Sequence, residues 1–337
     1  MEHTKSATMK DIARKLNVSI TTVSKVVNGH HDISDKKKAE IWAAINEMGY
    51  VPNIMAANLR RNKGNMVALI LSDISAPYFA RVIKGYDSVL NAAGYHSLIF
   101  SSMEQAEREE ELLQQVKSMN LAGIIIDPAQ NSDPEEKGLK QTEVPYVFSN
   151  RFFDIDNDYY VAADNQEIGR IATRHLLNRK PGKTIFCVNG PNGISPTVLR
   201  YSGFQEEMKE ANMPVEKWQV FNNNFDLQDA FQVGKKIAKY AKKQGQCSVF
   251  VSTDQLAIGV MRAILESGLS IPEDVAIIGV DDIDVAAYLN PALTTVAIPK
   301  EVIGEKSAKL LIELIAGHDV DTPRMLLPPT LMIRETT

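Results

Sequence analysis

The chain has 337 residues, 44% of them hydrophobic and 23% charged, too long for one compact core and of ordinary globular composition, so two or three domains are expected. Residues 1–25 contain no apolar run of the signal-peptide kind, and no stretch approaches the roughly 18 to 20 apolar residues of a membrane span, so neither is expected and the protein is placed in the cytosol. The net charge of -5 divides unevenly: residues 1–63 hold 11 Lys and Arg against 6 Asp and Glu, a balance of +5, leaving 26 against 36, or -10, for residues 64–337. A basic head on an acidic body suggests that the head meets a polyanion.

The first 50 residues carry no strand pattern. Met9, Ile12, Ala13 and Leu16 recur at helical spacing, and Thr8 with Asp11 reads as a capping box, so a helix starts near residue 9. The triplet NVS interrupts it. Ser19 is a natural N-cap for a second helix that turns Val23, Val26 and Val27 inward and stops at Gly29, after Asn28. A third helix follows a Ser34 cap, with Ala39, Ile41, Ile45 and Met48 as its apolar positions. Two helices joined by three residues and propped by a third have helix-turn-helix geometry.

With the valines buried, Thr21, Lys25 and Asn28 share the outer face of the second helix, and Ile20 stands at its exposed start. These are side chains suited to base edges: lysine donates to guanine O6 and N7, threonine offers a hydroxyl and a methyl, and isoleucine packs on a thymine methyl. Ser19, Thr22 and Ser24 are placed to reach phosphate oxygens, and Thr8 joins them as a candidate DNA contact. Periodicity alone leaves a second reading open, a solvated face in a three-helix protein-interaction bundle.

Residues 51–65, VPNIMAANLRRNKGN, form a connector. Pro52 suits a first helical position and Ala56, Ala57, Leu59 and Arg60 favour helix. Only about eight residues are available, however, and isolated helices under roughly 12 to 15 residues are marginal in water, so this one is expected to form only when something holds it. An exposed Leu59 here is either a wedge for a minor-groove base step or a contact to a symmetry partner.

From Met66 onward, short apolar runs (MVALILSD, YHSLIFSS, AGIIID, VPYVFSN, TIFCVNG, WQVFNNN, CSVFVSTD, VAIIGVDD) alternate with candidate helices near residues 78–93, 108–118, 166–177, 200–211, 228–242 and 255–267, and a last helix near 300–316 returns at the end. The pattern predicts an α/β body of two parallel sheets of similar size, each covered on both faces, with a cleft between the two lobes. Cys187 and Cys247 lie inside two of these runs and read as buried reduced thiols. Ligands of open parallel sheets sit beyond the carboxyl ends of the strands, and those ends carry Ser72-Asp73, Ser101-Ser102, Asp127, Asn150-Arg151, Asn189, Thr253-Asp254 and Asp281-Asp282. About half of these are expected to be helix caps and turn residues instead. The organisation is thus a helix-turn-helix head over 1–50, a hinge helix and linker over 51–63, and a two-lobe body over 64–337.

The chain resembles the lactose-repressor/galactose-repressor family of transcription regulators over essentially its full length. In the head the matching stretches are TMKDIARKLNVSITTVSKVVNG, IS at 33–34, GYVPN at 49–53 and AxxL at 56–59. In the body they are DISAPYF, Asn150-Arg151, ADNQEIG, RYSGF, STDQLAIG, IIGVDD, PALTTV and the closing IRET. The resemblance implies a periplasmic-binding-protein-like body and a homodimer whose heads read two half-sites of double-stranded operator DNA. Ile20, Thr21 and Lys25 fall at base-reading positions, and Leu59 at the leucine that enters the central minor-groove step. Asp73, Tyr78 and Phe79 fall on the first lobe's side of an effector cleft, while Asn150, Arg200, Thr253 and Asp281 fall where side chains grip a small polar effector such as a sugar or sugar derivative. Three positions depart from the usual pattern: Ala57 for Arg, Asn150 for Asp and Thr253 for Asn. The first bears on a hinge contact, and the other two mean that the effector does not follow from better-known relatives.

The implied function is a cytoplasmic, sequence-specific repressor of a metabolic operon, with no catalytic role, cofactor or metal. Enzyme motifs are weak. GKT at 182–184 resembles the end of a phosphate loop, but Leu177 stands where its first glycine is needed, and no GxGxxG or GxSxG occurs. His30 and His31 are adjacent, which is not a metal-ligand spacing. A solute-binding protein or sugar-handling enzyme of the same two-lobe form would need an export signal or a catalytic constellation. No leucine heptad follows Arg334, so dimers are expected rather than tetramers. Arg200 with Asp281 suits a neutral sugar; Arg200 with Arg151 suits a sugar acid or phosphate if Arg151 faces the cleft instead of pairing with an acidic neighbour.

Overall fold

The computed structural model describes residues 7–27, 32–50, 64–129, 139, 144–153, 159–179 and 183–337. They belong to two compact units, Met1–Gly64 and Asn65–Thr337.

The first unit holds α1 (Met9–Lys15), α2 (Ile20–Val27) and α3 (Asp35–Glu47). The capping box at its start is complete: Thr8 Oγ1 accepts from the Asp11 amide at 3.3 Å, and the Asp11 carboxylate accepts from the Thr8 amide at 3.0 Å. Asn17 at φ 49° turns the chain, and the Ser19 hydroxyl accepts from the Thr22 amide at 3.0 Å to open α2. Ile12, Ala13, Val23, Val26, Ile41, Ala44 and Ile45 are buried against one another, with Val27 and Met48 packed at the edge. Two expectations for α3 fail. Ser34 precedes the helix without a side-chain cap bond, and Ala39 is exposed while Ala44 is buried. Once Ile41 and Ile45 fix the inner face, position 44 shares it and position 39, two residues before Ile41, points away.

The second unit contains two sheets of the same internal plan. β1 (Met66–Leu71), β2 (His96–Ser101), β3 (Gly123–Ile126), β4 (Tyr146–Ser149), β5 (Tyr160–Ala163) and β11 (Arg324–Leu327) lie in the order β11-β5-β4-β3-β1-β2, all parallel. β6 (Ile185–Asn189), β7 (Val220–Asn222), β8 (Cys247–Val251), β9 (Val275–Asp281), β10 (Thr294–Ala297) and β12 (Thr330–Met332) lie in the order β12-β10-β9-β8-β6-β7, with only the β10–β12 pair antiparallel. In each sheet the order reverses beside the first strand, the switch point at which doubly wound sheets open a crevice. Strands such as β1 and β8 are apolar throughout because both faces are covered. Cys187 and Cys247 are buried on β6 and β8 and are not in a disulfide.

In the first lobe α4 (Pro77–Ala92) packs on α10 (Lys300–Ala316), and α5 (Ala106–Lys117) lies against β1. In the second, α6 (Asn165–Arg179) packs on α7 (Ser195–Glu210), and α8 (Leu227–Gln244) on α9 (Asp254–Glu266). The chain crosses between lobes three times, after β5, after β10 and after β11. The α6–α7 crossing depends on Gly169, where a Cβ would stand 2.0 Å from the Arg200 carbonyl oxygen. That close approach of two backbones sets the position of Arg200.

Helix α7 begins five residues before the expected start at Arg200, because Ser195-Pro196 opens it. Proline fits the first helical turn, where no amide is needed.

Candidate functional site

The described part of the head presents its polar side chains on α2. Ile20 is 46% exposed, Thr21 is exposed, and Lys25 is half-buried, as are Thr22 and Ser24. Ser19 and Thr22 also share a hydroxyl–hydroxyl bond of 2.9 Å, so the cap is a small polar cluster at the start of the helix. Thr8 is exposed beside it in sequence order, at the start of α1. Lys25 donates to Asp32, which follows α2 in the chain. Asn28 and Leu59 lie outside the described residues.

In the body all seven cleft candidates line one cavity, a concave site mixing apolar surface with a few polar groups, as small-molecule sites do. Asp73, Tyr78 and Phe79 come from the end of β1 and the start of α4, and Asn150 from the end of β4. Arg200, Thr253 and Asp281 come from α7, the start of α9 and the end of β9. Glu104, Arg151, Ile194, Pro196, Phe225, Gln255 and Ile283 complete much of the wall. Of these, Arg151 was legible at a strand end. Glu104 opens the acidic stretch EQAEREEELLQQ, which reads as the solvated face of a helix, and Phe225 carries no signal at all.

The polar groups are tightly held. Arg200 is buried; its Nε donates to Asn165 Oδ1 at 2.9 Å, one terminal nitrogen donates to the Ser252 carbonyl, and the other lies 3.8 Å from Asp281 Oδ1. Burial pulls its basicity down, and Asp281 partly restores it. Asp281, at φ 109°, and Asp282, at φ 52°, are in the left-handed half of backbone space. Lys300 donates to both of their carbonyls, and Arg334 reaches the Asp282 carboxylate at 2.6 Å. Burial raises the Asp281 carboxyl against the pull of Arg200 and Lys300. Asp254, behind it, is raised to about 8 by burial and by Asp281, and its oxygens accept from Thr295 Oγ1 at 2.6 Å and the Ile283 amide at 3.0 Å.

Across the cavity, Asn150 stands at φ 69°, and its amide donates to Asp127 at 2.9 Å, leaving its carbonyl oxygen as an acceptor. Arg151 resolves the alternative left by the sequence: its two terminal nitrogens meet the two Glu104 oxygens at 2.7 and 2.6 Å, and one also meets the Pro128 carbonyl at 3.0 Å. It lines the cavity as half of a bidentate ion pair. Some residues also have structural tasks. Thr253 caps α9 by accepting from the Leu256 amide at 3.2 Å, and Asp73 closes a turn by accepting from the Ser75 amide at 2.9 Å. Tyr78 is buried with a hydroxyl that has no hydrogen-bond partner among the described residues, and burial raises its pKa well above the usual phenol value.

Two units, one with a helix-turn-helix arrangement and one with paired doubly wound lobes around a polar cleft, define a ligand-responsive DNA-binding regulator. A family model described as bacterial regulatory proteins, lacI family, matches residues 8–53, and one described as a periplasmic binding protein-like domain matches residues 173–337. The chain is 32% identical to the NTD biosynthesis operon regulator NtdR of Bacillus subtilis (strain 168), over 98% of this chain and 99% of that protein. It is also 32% identical to the ribose operon repressor of Halalkalibacterium halodurans, over 98% of this chain and 97% of that one. Among solved structures, a CelR–cellobiose complex superimposes with a TM-score of 0.75 at 27% identity, covering 98% of this chain and all of the other. The lac repressor dimer bound to operator shares the fold, with a TM-score of 0.86 at 23% identity over 99% of each chain. The chain belongs to the LacI family: it is a DNA-binding transcription regulator and not an enzyme. Among the described residues no helix is long and apolar enough to cross a membrane.

Proposed function

We propose that this regulator is a cytoplasmic, homodimeric repressor whose hold on its operator is set by a neutral, polyhydroxylated ring bound between the lobes. The carrying observation is the state of the two cleft guanidiniums. Arg151 is matched by Glu104, and Arg200 is engaged by Asn165, the Ser252 carbonyl and Asp281. Three carboxylates, Asp73, Glu104 and Asp281, stand against those two cations on the cavity wall. A sugar acid or phosphate would enter a site with no uncommitted positive charge, whereas hydroxyls can donate to Asp73, Asp281 and the Asn150 oxygen and accept from Arg200. Phe79, Phe225 and Tyr78 supply apolar surface for a ring face. Cellobiose in the CelR complex and D-xylulofuranose in another regulator of 28% identity, with a TM-score of 0.72, are neutral precedents in relatives of this fold.

In this reading Ile20, Thr21, Lys25 and Asn28 read bases, Thr8, Ser19, Thr22 and Ser24 meet phosphates, and Leu59 enters the minor groove. The domain limits of 1–50, 51–63 and 64–337 are part of the same proposal. Tyr288, 88% exposed, and Val285, 50% exposed, support a dimer, since exposed aromatic and aliphatic side chains near one another favour a partner. Effector and operator then influence each other reciprocally, by about 1 to 3 kcal/mol. A thermal-shift screen of the full chain against neutral sugars, sugar acids, sugar phosphates and nucleobases tests the cleft: stabilisation is expected from neutral sugars, and a response confined to anions would overturn the reading. A tetramer on a sizing column would overturn the dimer.

A further inference from the structure

The described acids of the head fall into two groups. Asp11 caps α1, Glu47 pairs with Lys15 at 2.6 Å, Glu40 pairs with Lys37 at 2.7 Å, and Asp35 stands 3.5 Å from Lys38; all four act within α1 and α3. Asp32 differs. It sits outside the helices and directs its carboxylate at Lys25, on the polar face of α2, with the two side chains 53% and 41% exposed. An exposed pair contributes little to stability. A carboxylate beside a surface destined for a polyanion also opposes binding. A part in recognition offsets that cost.

We infer that Asp32 is a specificity-determining residue that reads, together with Lys25, one G·C base pair in each half-site. The inference rests on the DNA-reading role proposed for α2. Lysine is a compact charge on a flexible stem, and a free one donates equally well to guanine, to thymine O4, to adenine N7 or to phosphate. Tethering by Asp32 fixes the direction of its remaining N–H groups and places an acceptor beside them. The major-groove edge of a G·C pair offers guanine N7 and O6 as acceptors followed by the cytosine N4 amino donor. A donor held next to an acceptor complements that order, and the carboxylate turns away phosphate and any base edge that presents an acceptor in its place.

The test uses the full chain, a randomised duplex library, and titration of the selected duplex and its single-pair variants. The wild type is expected to select G·C at the position whose discrimination Lys25→Ala relaxes. Asp32→Ala should lower discrimination at that same pair about tenfold, while affinity for an unrelated duplex rises because a negative charge has left the surface. Asp32→Asn keeps an acceptor and should recover much of the discrimination, with a melting curve like that of the wild type. The inference fails if Asp32→Ala keeps discrimination within about a factor of two, if it weakens all duplexes alike, or if the pair read through Lys25 is not G·C. A wild type that enriches no motif would sink the DNA-reading role itself, and this inference with it.

Discussion

The reading head and the effector cleft are built in opposite ways. The candidate base contacts on α2 lie within a few residues of one another, on a helix whose cap, turn and inner face are all local. The cleft gathers Asp73, Asn150, Arg200, Thr253 and Asp281 from both lobes, and Asn150, Arg200 and Asp281 are held by partners 19 or more residues away in sequence. A head of this kind can change its specificity one side chain at a time. A cleft of this kind resists single changes, because Asn150, Arg200 and Asp281 are buried and bonded into one another's surroundings.

The largest effect should therefore be at Arg200. Arg200→Ala leaves Asp281, Asn165 and the Ser252 carbonyl without their cation, and the body should lose about 3 to 5 kcal/mol in urea denaturation. A loss below about 1 kcal/mol would break the contrast by showing a cleft as tolerant as a surface. Next is Gly169→Val, which forces a side chain into the α6–α7 contact and should cost about 3 kcal/mol. It tests whether effector binding depends on how the two helices seat Arg200, and unchanged effector affinity in the folded variant would argue against that. On the head, Lys25→Ala should reduce discrimination at one operator position by about 1 to 3 kcal/mol, whereas Ser24→Ala should weaken all sequences more evenly. The reverse pattern would undo the division into base and phosphate contacts. Thr8→Ala removes the capping box and should cost about 1 kcal/mol of head stability by thermal melting.

A separate signal is in pH. Asp254 is raised from the ordinary carboxyl value to about 8 in the folded body. The folded state therefore holds a proton that the unfolded chain releases near pH 4. The stability that this proton contributes is complete below about pH 4 and is lost as the pH rises toward about 8. Asp254→Asn, uncharged throughout, should show a shallower fall of melting temperature from pH 5 to 9 than the wild type. Parallel curves would contradict the raised carboxyl.

Much of the molecule was legible in the chain. The capping box at Thr8 and Asp11, the apolar face of α2 and the alternation of strands and helices follow from spacing, because local periodicity decides which side of an element is buried. Of the seven cleft residues, Asp73, Asn150, Thr253 and Asp281 stand at strand ends while Tyr78, Phe79 and Arg200 follow from family resemblance alone, and folding brings all seven to one cavity. The errors also have local causes. The helix expected near 200–211 starts at Ser195, and Ala39 is placed on a face that Ile41 and Ile45 do not share.

The sequence by itself determined a basic helix-turn-helix head, two parallel-sheet lobes and the residue types at the ends of their strands. Tertiary structure alone decided what those types could still do. Arg151 is matched by Glu104, 47 residues earlier in the chain. Arg200 is locked by Asn165 and Ser252, and Lys25 is tethered by Asp32. Charge is written in the chain, but whether a charge is available to a ligand depends on the opposite charges and carbonyls that folding brings within hydrogen-bond reach, and for the cleft those partners are far apart in sequence.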